Sequence, residues 1–247
     1  MMKFANIEWR NIDNNSQPYS IDFNDVYFNS ESGLAETEYI FIAQNQLLQR
    51  FKNLSSPCFT IIETGFGTGL NFLCAAAYFL ALAPANANLK YISIEKYPLK
   101  CEDMQKAMQL FLGMRPQFAE IASAFLLKYV NLNESLNEMN IAENRTQLDL
   151  WLGDIVNVLP QITEKSDAWF LDGFSPAKNA DMWGNEVFKH MARLSKPEAT
   201  FATFTSAGAV RRGLQAAGFE VKKQAGYGKK REMLFGSFLE YSNKENI

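Results

Sequence analysis

Apolar positions in this chain fall into short runs stopped by Gly, Asp or Glu, separated by stretches in which they recur at helical spacing. The segment PCFTIIETGFGTGLNFLCAAAYFLALA (57–83) passes from a β-branched run through a glycine-rich turn into an alanine-rich stretch. That order predicts a strand, a tight loop and a buried helix. LKYISIEKYP (89–98) predicts a second strand, with Pro98 turning the chain into another helix. Residues 99–144 are mostly helix formers, and LDLWLGD, DAWFLDGF and ATFATFTSAG predict three further buried strands, each with a turn at its C-terminal end. Ahead of this core, DVYFNS (25–30) reads as a short strand, and residues 34–51 have helical spacing throughout.

Strands alternating with helices predict an α/β fold, a mostly parallel sheet with helices on both faces. Residues 1–56 are expected as an N-terminal extension packed on a core of 57–240, with 241–247 as a frayed tail. In such sheets ligands sit beyond the carboxyl ends of the strands, where the Gly and acidic residues fall.

Composition adds mainly exclusions. A chain of 247 residues, 47% hydrophobic, can bury one large core. The start, MMKFANIEWR, lacks the apolar stretch of a signal peptide, so a cytoplasmic protein is expected. The longest apolar run, Leu70 to Ala83, is interrupted by Asn71 and falls short of the ~20 residues that cross a bilayer, so no membrane association is expected. Cys58, Cys74 and Cys101 are scattered, which favours reduced structural thiols over a metal site or a disulfide framework. The one histidine, His190, lies in a predicted helix with no nucleophile motif near it. Net charge is −3, which alone suggests no nucleic-acid ligand. Its distribution does, because residues 189–231 hold ten Lys or Arg against two acids.

Candidate chemistry collects at the strand ends. Glu63, Gly65, Phe66, Gly67 and Gly69 form an acid-plus-glycine loop between strand and helix, and glycines there let a ligand approach the backbone closely. The spacing departs from the dinucleotide pattern G-x-G-x-x-G. Glu95, ending the second strand, can accept both hydroxyls of a ribose. Asp154 follows the third, at the ligand edge of the sheet. Asp172, after the strongly apolar DAWFL, is the candidate catalytic group: a carboxylate able to orient an amine and take its proton, with Phe174 packing beside the reacting atoms. This chemistry calls for no metal. Ordinary structural roles stay open for each: a tight turn for the glycines, a solvated charge for Glu95, a helix N-cap for Asp154 and a loop tie for Asp172.

The segments FLDGFSPAKNADMW, ATFTSAGAVRRGLQAAGF, GYGKKREML, DVYFNSESGLAETEYIFIAQNQL, ETGFGTGLNFL and ISIEKYPL, in that arrangement over nearly the whole chain, resemble the tRNA methyltransferases that form methylaminomethyluridine at the wobble position. The resemblance implies a Rossmann-like class I methyltransferase fold with S-adenosylmethionine as cofactor. It also implies methyl transfer to the exocyclic amine of 5-aminomethyluridine, often 2-thiolated. The glycine loop, Glu95 and Asp154 would lie at the cofactor and Asp172 at the transfer centre. Tyr27, Lys178 and Asn179 would lie at the substrate, and Arg211, Arg212, Lys229, Lys230 and Arg231 would face tRNA phosphates, with Tyr227 stacking on a base. Two departures stand out. KPEAT replaces a usual Pro-Gly-Gly turn, and the chain ends before the flavin-dependent oxidase that bifunctional members carry, so such a domain or protein is an expected partner. Competing readings are a small-molecule amine methyl- or aminopropyl-transferase, a nicotinamide or flavin dehydrogenase, and a tRNA-binding module without turnover.

Overall fold

The computed structural model describes residues 2–12, 15–28, 33–228 and 230–239. Strands β1 (Ile7–Ile12), β2 (Asn15–Ser20) and β3 (Asp25–Val26) make a small antiparallel sheet of their own. Ala5 N–H donates to the Pro98 carbonyl at 3.0 Å and Trp9 Nε1 to Asp103 at 2.7 Å, which fastens this sheet beside the cavity described below.

The expected helix over 34–51 is broken into α1 (Gly33–Thr37), a π-helical stretch (Glu38–Ala43) and α2 (Leu47–Lys52). Gln46 sits in the left-handed region, at φ 53°. The buried Asn45 amide donates to the Phe41 carbonyl at 3.0 Å and accepts from Thr200 at 2.6 Å. Such side-chain bonds compete with a continuous helix ladder, and helical spacing alone does not reveal them.

The core alternates as expected: β4 (Cys58–Glu63), α3 (Leu70–Leu82), β5 (Asn88–Glu95), α4 (Cys101–Met114), α5 (Ala119–Tyr129), β6 (Leu136–Ile141), β7 (Thr146–Leu152), α6 (Ile155–Val158), β8 (Ser166–Leu171), α7 (Asn185–Leu194), β9 (Ser195–Thr203), α8 (Gly208–Ala216), β10 (Phe219–Ala225) and β11 (Glu232–Phe238). They build one eight-stranded sheet in the order β10-β11-β9-β8-β4-β5-β7-β6. The central pairs are parallel, while β6, β10 and β11 add antiparallel edges.

Side chains alternate between two cores. Ala168 and Phe170 of β8 pack with α3, α4 and α5, whereas Trp169 and Leu171 pack with α6, α7 and α8. Strand β6 lies inside the stretch expected to be helical. Its burial alternates, with Asn137, Met139 and Ile141 inside and Glu138 and Asn140 exposed, as a half-buried edge strand requires. Among the described residues no helix is long and apolar enough to cross a membrane, and no cluster of ligating side chains is arranged for a metal ion. All three cysteines are free thiols. Lys229 and residues 241–247 lie outside the described residues.

Candidate active site

From β4 the chain crosses to β5 on one side, and β8 later returns to the other, so the sheet's order reverses at the carboxyl ends of β4 and β8. A crevice opens at such a point. Thr64 closes its floor, with N–H donating to the Phe170 carbonyl at 3.1 Å and Oγ1 to the Asp172 carbonyl at 2.7 Å. Gly65 is required here because a Cβ would stand 2.9 Å from the Asp172 carbonyl oxygen. Gly67 is required because its φ is +52°, a conformation costly for any residue with a Cβ.

The cavity has a volume of about 1020 Å³ and is lined by Gly65, Phe66, Gly67, Glu95, Asp154 and Asp172, among others. Tyr27, Phe174 and Asn179, expected at the substrate, line it too. Glu63 and Gly69 do not. Glu63 is fully buried beneath the loop, and Gly69, at φ +76°, begins α3 where a Cβ would meet the Phe66 ring at 2.9 Å.

Glu95 accepts from Gly67 N–H at 2.8 Å on one oxygen and from Tyr97 N–H at 2.9 Å on the other. Burial pushes its carboxyl above the ordinary value, and these backbone donors oppose the shift. Each oxygen keeps a lone pair for a further donor, such as a hydroxyl. Asp154 caps α6, accepting from Val156 N–H at 3.2 Å, and pairs with Lys96 at 2.7 Å. Its structural role is therefore realised, and it still borders the cavity.

Asp172 is half-buried just past β8. Oδ1 accepts from Gly173 N–H at 2.8 Å, and Oδ2 accepts from Asn71 Nδ2 at 2.7 Å. Burial pushes its carboxyl up to about 6, against the pull of those two donors. Beside it Phe174 stacks on Phe23 (4.3 Å between centroids, 17° between planes) and meets the edge of Tyr27 at 5.3 Å. Burial, reinforced by Glu95, raises the Tyr27 phenol, so it stays neutral.

The basic residues are spread more widely. Lys178 is tied to Asp25 at 3.1 Å and to the Asn24 carbonyl at 2.7 Å. Arg211 and Arg212 lie on α8 and Arg231 before β11, all outside the cavity lining. Lys230 lines the cavity, paired with Glu36 and 4.6 Å above the Phe204 ring. Tyr227 also lines it, 5.8 Å from the Tyr39 ring. His190 bonds to Arg193, on the surface of α7.

Phe23 and Phe204 were invisible as site residues in the sequence, since isolated aromatics carry no positional signal. The donor set fits an adenosine-bearing amino acid: a glycine cradle for close approach, a strand-end carboxylate for ribose hydroxyls and an acid bordering the far end.

The model of a family described as S-adenosyl-L-methionine-dependent methyltransferase matches residues 116–238. The chain is 47% identical over 234 residues to the tRNA 5-methylaminomethyl-2-thiouridine biosynthesis bifunctional protein MnmC of Methylobacillus flagellatus, a match covering 95% of this chain and 35% of that protein. It is 48% identical to the protein of the same name from Pseudomonas aeruginosa, again over 95% of this chain and 35% of that one. Residues 116–238 are thus similar to S-adenosyl-L-methionine-dependent methyltransferases, and nearly the whole chain is similar to part of the MnmC proteins. The chain spans about a third of the length of these relatives. The crystal structure of MNMC2 from Aquifex aeolicus shares its fold, with a TM-score of 0.70 over 94% of this chain and 70% of that one at 22% identity.

Proposed function

We propose that this chain is a methyltransferase that acts on tRNA, methylating the exocyclic amine of 5-aminomethyl-(2-thio)uridine at the wobble position to give 5-methylaminomethyl-(2-thio)uridine. The observation that carries the reading is Asp172, a carboxylate at the sheet's switch point with oriented oxygens, beside the stacked Phe23–Phe174 pair. Similarity over 95% of the chain to proteins named for this modification supports the acceptor.

Bound S-adenosylmethionine supplies an electrophilic methyl group and a thioether leaving group. The glycine loop, Glu95 and Asp154 are the residues we assign to hold it. An amine attacks only with its lone pair free, so an ammonium substrate must first lose a proton. With its carboxyl near 6, Asp172 is mostly ionised at neutral pH and can accept that N–H and take its proton, leaving the amine lone pair free for attack. Phe174, braced by Phe23 and Tyr27, offers an apolar wall for the nucleobase. Residues 1–56 supply Tyr27 and Glu36 to the cavity, which supports their reading as an extension that completes the site. Arg211, Arg212, Lys230 and Arg231 are assigned to tRNA phosphates. A flavin-dependent oxidase, fused or separate, is proposed as a partner in the same modification, since the relatives are named bifunctional and this chain matches 35% of their length.

The test is transfer of labelled methyl from S-adenosylmethionine to tRNA bearing 5-aminomethyluridine, with tRNA lacking that group and free polyamine as parallel acceptors. Label on the aminomethylated tRNA alone is expected. Label on polyamine instead would move the assignment to a small-molecule amine transferase.

A further inference from the structure

At the cavity floor one polar side chain joins two acids that lie far apart in the sequence, Glu63 and Asp172. Asn71 is buried at the start of α3. Its Nδ2 donates to Glu63 Oε1 at 2.8 Å and to Asp172 Oδ2 at 2.7 Å, while its Oδ1 accepts from Thr37 Oγ1 at 2.9 Å. Chemistry fixes this orientation. With the amide reversed, its carbonyl oxygen would face the Asp172 carboxylate, which when ionised has no proton to give, and Asp172 would lose a donor.

We propose that Asn71 is a positioning residue for the reaction at Asp172, its one amide NH2 bridging the Asp172 carboxylate to the sealed Glu63 carboxyl and Thr37 holding the amide in place. The role rests on reading Asp172 as the group that meets the acceptor amine. Gly173 N–H and Asn71 Nδ2 hold one Asp172 oxygen each, so the carboxylate cannot swing, and the lone pairs left over are those an entering amine meets.

The bridge also orders the two acids. Glu63 is fully buried, with neutral donors on it, Asn71 and Ser93 Oγ at 2.7 Å, and with the Tyr91 hydroxyl nearby. Asp172 faces the cavity, with Glu36 from α1 and Lys230 from the segment before β11 as its charged neighbours there. Below it lie Glu63, Tyr91 and, beyond them, the neutral thiol of Cys74. Burial, reinforced by the Asp172 charge, pushes the Glu63 carboxyl well above its ordinary value. The Asn71 bond stabilises the ionised form of Asp172, and its loss raises the pH at which that form appears.

Two readouts test this: carboxyl carbon-13 titration of Asp172 and Glu63, and the pH profile of kcat/KM. In Asn71→Ala the acid limb is expected to move up by on the order of one pH unit, with much of the lost rate recovered at higher pH. Thr37→Val is expected to give a smaller shift of the same sign, and Kd for S-adenosylmethionine should stay within about twofold in both. Should Asn71→Ala fail to fold, Asn71→Ser and Thr37→Val carry the same measurements. A rate lowered equally at every pH, or an Asp172 titration midpoint unmoved in Asn71→Ser, overturns the proposal. If the wild-type enzyme transfers no methyl to aminomethylated tRNA, the assigned acceptor fails, while the carbon-13 titration still decides the role of Asn71.

Discussion

The cavity floor and the basic C-terminal segment hold their charges in opposite ways. At the floor, Asp172 and Glu95 are half-buried and are steadied by neutral donors, chiefly backbone N–H groups and the Asn71 amide. These donors leave the negative charge in place, so each carboxylate remains available to a ligand. In the C-terminal segment most cations already have an acid or carbonyl: Lys189 with Glu186, Lys196 with Asp167, Lys222 with Glu220, Lys223 with Glu232, and Arg193 with the Leu159 and Ile162 carbonyls. Arg211 and Arg231 gather around Glu232, which is held below the usual carboxylate range first by the Lys223 hydrogen bond, with these arginines adding to it. Clustering in sequence therefore overstates the free positive charge. It also predicts that changes at the floor act steeply and changes in the basic segment act gently.

The largest effect is expected at Asp172→Asn, where single-turnover methyl transfer should fall by about 10²–10⁴-fold while cofactor affinity holds. A loss of affinity instead would move Asp172 to the cofactor side of the cavity. Gly65→Ala should come next. Its Cβ must displace the Asp172 backbone, costing about 1–3 kcal/mol in chemical denaturation and lowering cofactor affinity measured by calorimetry. Unchanged stability would mean that the β4–β8 approach is looser than it stands here. Glu95→Gln should weaken cofactor binding by on the order of tenfold, the loss of one charge-assisted hydrogen bond, with little effect on the rate at saturation. The double substitution Arg211→Ala with Arg212→Ala should weaken tRNA binding only severalfold and flatten its salt dependence by about one unit of slope for each phosphate that loses its arginine. Cofactor affinity unaffected by that pair, set against the losses at Gly65 and Glu95, would sharpen the division between the two regions.

The smallest effect concerns stability and pH. A carboxyl raised to about 6 in the folded protein favours folding fully below its ordinary range and loses that contribution as pH rises through about 6. Denaturation curves from about pH 4 to 8, a window that brackets this change, should show the slope in the wild type and a weaker one in Asp172→Asn.

What the sequence could reveal follows from where each signal is local. Strands β4, β5, β7, β8 and β9 are apolar runs closed by Gly, Asp, Glu or Thr, so their ends, and hence Glu95, Asp154 and Asp172, were legible. Strand β6 was hidden because Asn137, Glu138 and Asn140 suit a helix as well as an edge strand, and pairing with β7 decides between them. The β10–β11 hairpin was hidden in the same way, since Lys222, Lys223 and Gln224 read as charge before they read as an exposed strand. Asn71 registered only as a polar break in an apolar run. Its partner Asp172 lies 101 residues away, and only the pairing of β4 with β8 brings them together.

The most direct test of the assigned reaction is to digest the methylated tRNA to nucleosides and locate the new methyl group by mass spectrometry. A 5-aminomethyl-(2-thio)uridine heavier by one methylene is expected, with fragmentation placing the addition on the exocyclic nitrogen. A methyl group found on the ribose, on a ring atom or on another nucleoside would contradict it.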